Sequence, residues 1–124
     1  MRIFIALVAA LAVLTCFRAW AEDPAAADAI FKKLLAAQAS KNYDAFVADG
    51  TTQLKAALSK TQFDASSDVL NARFTGGYES TFLGELNMRG CEVYLYRLRF
   101  KDDGDDILGT LSLKNGKVAG IYFH

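Results

Sequence analysis

The sequence predicts an α+β fold, in which N-terminal helices pack on a strongly bent antiparallel β-sheet. From Asp23 to about Phe74 the apolar residues recur at helical spacing, whereas from Tyr78 onward they alternate or form short runs typical of strands. The pair Asn115-Gly116 lies between two apolar runs, which is typical of a two-residue type I′ hairpin. Helices followed by a meandering sheet indicate the α+β class.

The first residues predict a secretory signal peptide over residues 1–21. An uncharged apolar run, Ile3 to Phe17, follows a basic start, and Ala19-Trp20-Ala21 then forms the small-x-small pattern of a cleavage site. The run is shorter than the roughly 20 apolar residues of a membrane span. Lipidation of Cys16 is an alternative, although Thr15 is larger than the residue usual before such a cysteine. We therefore expect one domain over residues 22–124, periplasmic or secreted, with no membrane attachment after cleavage.

The first three predicted helices are amphipathic. Asp23 is the expected N-cap of the first, with Pro24 at its first helical position. One apolar stripe follows at helical spacing: Ala27, Ile30, Phe31, Leu34 and Leu35. The second helix is predicted around Phe46 and ends at Gly50, and the third carries Leu54, Ala57 and Leu58.

The fourth predicted helix begins at a capping motif and ends at a glycine pair. Thr61 is the expected N-cap, with Asp64 at the third position in place of the more usual glutamate. Four apolar residues are expected to form its buried face: Phe63, Val69, Leu70 and Phe74. Gly76-Gly77 is expected to end it.

Four strands are predicted after the helices: Tyr78–Met88, Cys91–Phe100, Ile107–Leu113 and Val118–Phe123. A regular hairpin at Asn115-Gly116 places four pairs on one face: Leu113 with Val118, Leu111 with Gly120, Gly109 with Tyr122, and Ile107 with His124. Leu108, Ile121 and Phe123 then form an apolar outer face. We expect a second copy of the chain to cover that face in a homodimer.

Three segments of the chain resemble a family of secreted bacterial domains of unknown function. They are Lys41-Asn42-Tyr43-Asp44-Ala45, Leu58-Ser59-Lys60-Thr61-Gln62-Phe63, and Asn115-Gly116-Lys117-Val118-Ala119-Gly120-Ile121. That family belongs to the nuclear transport factor two-like superfamily, also called cystatin-like. The resemblance implies a cone-shaped roll of sheet around the N-terminal helices. It implies no catalytic residues, because none is established for the family, and so it predicts the fold rather than the function.

Charge and cysteine content exclude several classes of protein. The 14 basic and 14 acidic residues balance, which excludes the basic face of a nucleic-acid-binding protein. No Cys-His cluster or EF-hand spacing is present, so we expect neither a metal nor a cofactor, and we interpret Lys101–Asp106 as a solvated turn. Cys91 remains unpaired after signal cleavage, and we expect its side chain to be buried.

Five residues are the candidates for a ligand pocket. Tyrosine hydroxyls can orient an apolar ligand in a curved sheet, which singles out Tyr94, Tyr96 and Tyr122. His124, the only histidine, and Glu85 are the groups that acid–base chemistry would use. The absence of a catalytic motif favours an exported, non-catalytic binding or interaction domain that holds a small apolar ligand in the cone of the roll. The alternative is a small isomerase, dehydratase or hydrolase acting on an apolar substrate in the same pocket.

Overall fold

The computed structural model describes residues 24–124 and places four helices before four strands. The helices are α1 (Pro24–Ala39), α2 (Tyr43–Val47), α3 (Thr52–Ala57) and α4 (Lys60–Thr75). The strands are β1 (Tyr78–Met88), β2 (Cys91–Phe100), β3 (Ile107–Lys114) and β4 (Lys117–Phe123). The predicted α+β class is confirmed. The predicted signal peptide, its cleavage site and the Asp23 cap lie outside the described residues.

The four strands form one antiparallel sheet in the order β1-β2-β3-β4, so that β1 and β4 are its edges. The helices pack on one face of this sheet, which we call the inner face; it carries Tyr94, Tyr96, Leu98, Leu111 and Leu113. The opposite, outer face carries no helix among the described residues. Within residues 24–124, no helix combines the length and the apolar character that crossing a membrane requires.

The core is built where α1 crosses the inner face. The Phe31 ring stacks on the Tyr96 ring, with centroids 4.0 Å apart and planes 6° from parallel. Gly109 lies directly beneath Phe31, and a Cβ atom at this position would come within 2.8 Å of the Phe31 ring. The glycine therefore permits the close approach of helix and sheet that buries both aromatic side chains.

Helix α4 begins two residues earlier than the sequence predicted. Ser59 is the N-cap: its hydroxyl accepts the backbone N–H of Gln62, and the Gln62 side chain accepts the backbone N–H of Ser59. The predicted Thr61 cap is therefore wrong. With Ser59 as the N-cap, both Ser59 and Gln62 have hydrogen-bond partners in a reciprocal capping box.

The buried face of α4 also differs from the prediction. Phe63, Ser67 and Phe74 are buried, but Val69 is 78% exposed. Val69 is two residues beyond Ser67, which is about 200° around a helix of 3.6 residues per turn. Val69 therefore points away from the core.

The β3–β4 hairpin has the predicted turn but a different register. Asn115 and Gly116 both have positive φ, as a type I′ turn requires. Leu113 pairs with Val118 as predicted, but an irregularity then shifts the register, so that Leu111 pairs with Ile121 and Gly109 with Phe123. The predicted pairs of Leu111 with Gly120, Gly109 with Tyr122 and Ile107 with His124 are therefore wrong.

The register shift exchanges the two faces of β4. Ile121 and Phe123 point to the inner face, where Phe123 packs against Phe74. Tyr122 and His124 point to the outer face, the reverse of the prediction. One extra residue in β4 suffices, because side chains alternate with a period of two and a shift of one reverses them all.

The loop between β2 and β3 is anchored to α4. The Arg73 guanidinium donates to both Asp102 carboxylate oxygens, at 2.8 and 3.2 Å, and to the Asp105 carbonyl at 2.7 Å. The Arg73 hydrogen bond is the main reason why the pKa of Asp102 falls to about 2. The loop is thus a solvent-facing turn fixed at one end, and no group of three or more potential metal ligands occurs within the described residues.

Candidate functional site

A cleft of about 540 Å³ opens between the helices and the free edge of β4, and we call it the β4 cleft. Its lining comes from all four helices and from β4. The residues that line it are Gln38, Phe46, Leu54, Ala57, Leu58, Phe63, Ser66, Val69, Leu70 and residues 120–123. Most of these side chains are apolar, so the cleft offers a desolvated surface to a ligand.

A buried amide supplies the main polar feature of the cleft. Gln38 is only 3% exposed, and its Nε2 atom donates to Ser67 Oγ at 2.9 Å and to Ser66 Oγ at 3.3 Å. Ser66 in turn donates to the Phe63 carbonyl. These bonds satisfy the buried amide nitrogen and hold Gln38 and Ser66 in fixed positions at the cleft wall.

The backbone of β4 forms the edge of the cleft. The Val118 N–H donates to the Asp49 carbonyl, and the Val118 carbonyl accepts from the Thr51 N–H, both at 2.8 Å. This short parallel bridge covers the start of β4, and the chain then leaves the sheet edge at Thr51, the N-cap of α3. Beyond that point α3 packs beside β4, and no backbone group within residues 24–124 pairs with the rest of this edge.

The tyrosines predicted to line the pocket are divided by the structure. Tyr122 lines the β4 cleft and is 58% exposed. Tyr94 and Tyr96 are fully buried and belong to the core beneath α1. The Tyr94 hydroxyl donates to a Glu92 carboxylate oxygen at 2.9 Å, whereas burial raises the pKa of Tyr96 to about 12.

The two predicted acid–base candidates do not meet in the cleft. His124 is exposed on the outer face, where its ring lies 6.5 Å from that of Tyr122 and its backbone pairs with Leu108. Glu85 is exposed on β1, at the opposite edge of the sheet, in register with Tyr94. Cys91 is half-exposed at the start of β2, so the expectation that it is buried is wrong.

Gln38 and Ser67 were not predicted to belong to a site, although the sequence carries a signal for both. Gln38 lies one turn beyond Leu34 on the apolar stripe of α1, and Ser67 lies one turn beyond Phe63. A polar residue at a core position of a helical stripe indicates a buried hydrogen bond, because an unpaired amide would be costly there. Each position therefore marks its residue as a candidate for a buried hydrogen bond, and the structure pairs the two.

Comparisons with known proteins give one structural likeness. No protein-family model matches the sequence, and no curated protein matches it. Among solved structures, the chain is similar to an uncharacterized cystatin-fold protein from Novosphingobium aromaticivorans, with 12% identity and a TM-score of 0.42. The likeness covers 77% of this chain and 95% of that one. It concerns the fold alone, and the α+β class stands on the order of the described helices and strands.

Proposed function

We propose that the chain is an exported binding domain that holds an apolar ligand in the β4 cleft. The observation that carries the proposal is the composition of the cleft wall, in which apolar side chains surround the fixed polar pair Gln38 and Ser66. Ligand sites in proteins combine an apolar surface with a few placed polar groups, in volumes of about 300 to 1,000 Å³. The volume of the cleft falls within that range.

The alternative, a small enzyme acting on an apolar substrate, has less support. General acid–base catalysis needs a titratable group within hydrogen-bonding reach of the reacting atom. His124 and Glu85 lie away from the cleft, on the outer face and on the far edge strand respectively. The lining residue with a titratable side chain is Tyr122, at the mouth.

The binding of a fluorescent apolar dye tests this proposal. We expect anilinonaphthalene sulfonate to bind the protein with enhanced fluorescence, and Val69→Glu to weaken binding about tenfold, because the substitution places a charge at the rim of the cleft. Because Val69 is exposed, the free energy of unfolding of the variant should differ by no more than about 0.5 kcal/mol from that of the parent protein.

The matched control is Leu83→Glu, which adds the same charge to an exposed leucine on β1, away from the cleft. It should leave dye binding unchanged. Equal dye binding by the parent protein and Val69→Glu would contradict the proposal.

Export and superfamily membership belong to the same proposal. The pattern that ends at Ala21 supports cleavage before Glu22, and the helices-then-sheet order supports a roll of the nuclear transport factor two-like kind. Intact mass spectrometry of protein from the bacterial envelope should give a chain that begins at Glu22. A chain that retains Met1, or one with lipid on Cys16, would refute the export pathway proposed here.

A further inference from the structure

We propose that the ligand of the β4 cleft is an extended peptide that adds to the sheet as a fifth strand beside β4. The inference rests on the proposed function and names the chemical class of its ligand. Two features are needed for such binding: a row of free backbone groups at a sheet edge, and pockets for alternate side chains. Both occur together here.

The hydrogen-bond pattern of the β3–β4 ladder shows which backbone groups of β4 face outward. Leu108 and His124 exchange two backbone hydrogen bonds of 2.9 Å each, which makes them a hydrogen-bonded pair. In an antiparallel ladder such pairs alternate with pairs whose N–H and C=O groups point away from each other. Phe123 and Ile121, opposite Gly109 and Leu111, are therefore the residues whose backbone groups point to the free edge.

These outward groups are open to a new strand. Neither Ile121 nor Phe123 makes a further backbone hydrogen bond to any described residue. Three residues before Ile121, the outward groups of Val118 are bound by Asp49 and Thr51. The chain itself thus already pairs with this edge for one residue, and no other described residue pairs with the same edge as far as Phe123.

The cleft lies where the side chains of an added strand would point. Ile121 and Phe123 direct their side chains to the inner face, and α3 and α4 flank the same edge. Alternate side chains of a strand beside β4 would enter the space between Leu54, Leu58 and Leu70, and the others would lie beside Tyr122. The apolar wall therefore selects a peptide with aliphatic residues at every second position.

A second copy of the chain fits this edge less well than a peptide does. If two β4 strands paired, Ile121 and Phe123 of each copy would stay packed on their own cores. The cleft would then remain unfilled, while the flanking helices of both copies would meet on the same face. A single extended segment fills the cleft and uses the free backbone groups.

The test uses a short capped peptide in which leucine alternates with threonine, together with two N-methylated versions. One version is methylated at the leucine amides and the other at the threonine amides. With leucine in the cleft, only one of the two sets of N–H groups faces β4. We expect that version to bind at least about tenfold more weakly than the parent peptide, because the peptide loses its donors. The other version should bind like the parent.

Which version loses affinity also reports the direction of the added strand, since reversing the strand exchanges the two sets of amides. Hydrogen exchange of the Ile121 and Phe123 amides should slow when the parent peptide binds. Equal affinities for the two methylated versions would overturn the proposal, because they would show that the peptide backbone is not used.

Ile121→Pro tests the edge from the protein side. Proline removes the outward N–H, and it is tolerated on edge strands where that N–H faces solvent. The variant should bind the peptide at least about tenfold more weakly than Ile121→Val, which alters the same lining side chain but keeps the N–H. If Ile121→Pro does not fold, the methylated peptides still decide the question.

The remaining outcomes separate this inference from the proposed function. Dye binding without peptide binding would leave the cleft as a small-molecule site and overturn the peptide. Failure of both would remove the proposed function itself. A peptide-free dimer that Ile121→Pro converts to monomer would show that a second copy occupies the edge, and would also overturn the inference.

Discussion

Two tyrosines on the inner face of β2 place their hydroxyl groups in different surroundings. The Tyr94 hydroxyl donates to Glu92, whereas the Tyr96 hydroxyl is buried and has no hydrogen-bond partner among the described residues. A buried hydroxyl without a partner costs about 1 to 3 kcal/mol. The stacked ring of Tyr96 therefore stabilises the core, while its hydroxyl opposes that effect.

Tyr96→Phe should accordingly leave the protein as stable as before, or more stable by about 1 kcal/mol, because it removes only the unpaired hydroxyl. Tyr94→Phe is the matched control, and it should cost about 1 kcal/mol because it removes a hydrogen bond to a carboxylate. Urea melts of the two variants measure the difference. A larger loss of stability in Tyr96→Phe than in Tyr94→Phe would contradict this assignment.

Tyr96 should also influence stability at alkaline pH. Burial raises the pKa of Tyr96 from 10.0 to about 12 in the folded protein. A raised folded pKa means that the stabilisation is complete below the unfolded value and is lost as pH rises through the folded one. Tyr96→Phe should therefore remove part of the stability loss between these two values, as urea melts at a series of alkaline pH values would measure.

At the scale of single elements, the start of α4 can be tested, because the structure and the sequence pattern place its N-cap at different residues. Ser59 and Gln62 form the capping box, and Thr61, the cap predicted from the sequence, is the second residue of the helix. Ser59→Ala should cost about 1 kcal/mol, because it leaves the Gln62 N–H without its acceptor.

Thr61→Ala is the matched control on the same turn. Thr61 is exposed within the helix, and alanine has the higher helix propensity, so this variant should be neutral or slightly stabilised. Thermal melts compare the two variants directly. A greater loss for Thr61→Ala would restore the predicted cap and shift the start of α4.

The elements themselves could be predicted from the sequence because each carries a local signal. Pro24 begins α1, Gly76-Gly77 ends α4, and Asn115-Gly116 forms the turn between β3 and β4. Each of these features follows from the backbone preferences of one or two residues and depends on few neighbours. The irregularity in β4 has no such signal. In the structure it accompanies the packing of Phe123 against Phe74 and of Phe31 over Gly109, and both contacts join distant parts of the chain.

The irregularity in β4 explains why two of the candidate site residues were predicted on the wrong face of the sheet. Counting two residues per repeat from Asn115-Gly116 placed Tyr122 and His124 on the inner face, one residue out of register. The cleft was missed for a related reason. Its walls come from all four helices and β4, and no local spacing brings Gln38, Leu54 and Ile121 together.

At the scale of the whole molecule, the described helices cover one face of the sheet and leave the other without a helix. The register shift moves Ile121 and Phe123 into the core, so the outer face is built from a different apolar set than the sequence predicted. Four large apolar side chains on it are exposed: Leu86, Met88, Leu108 and Tyr122. Arg97 and Arg99 lie on the same face, where Arg99 is 3.7 Å from Asp106.

We propose that a second copy of the chain covers this outer face. Leu86 and Met88 of β1 lie in register with Val93 and Cys91 of β2, and Leu108 and Tyr122 add exposed apolar surface on β3 and β4. Such a patch on a sheet face is typical of an interaction surface. Light scattering at high micromolar concentration should give the mass of a dimer.

Leu86→Lys tests which surface forms that dimer. Because Leu86 points to the outer face in register with Val93, a charge there would be buried against the second copy, and the dimer should weaken about tenfold or more. Val69→Lys adds the same charge at an exposed position on α4 and should leave the mass unchanged. A monomeric mass for the parent protein would refute the homodimer. If Val69→Lys disrupts the dimer and Leu86→Lys does not, the two copies meet at the cleft and not at the outer face. Such a dimer would also compete with the peptide for the edge of β4.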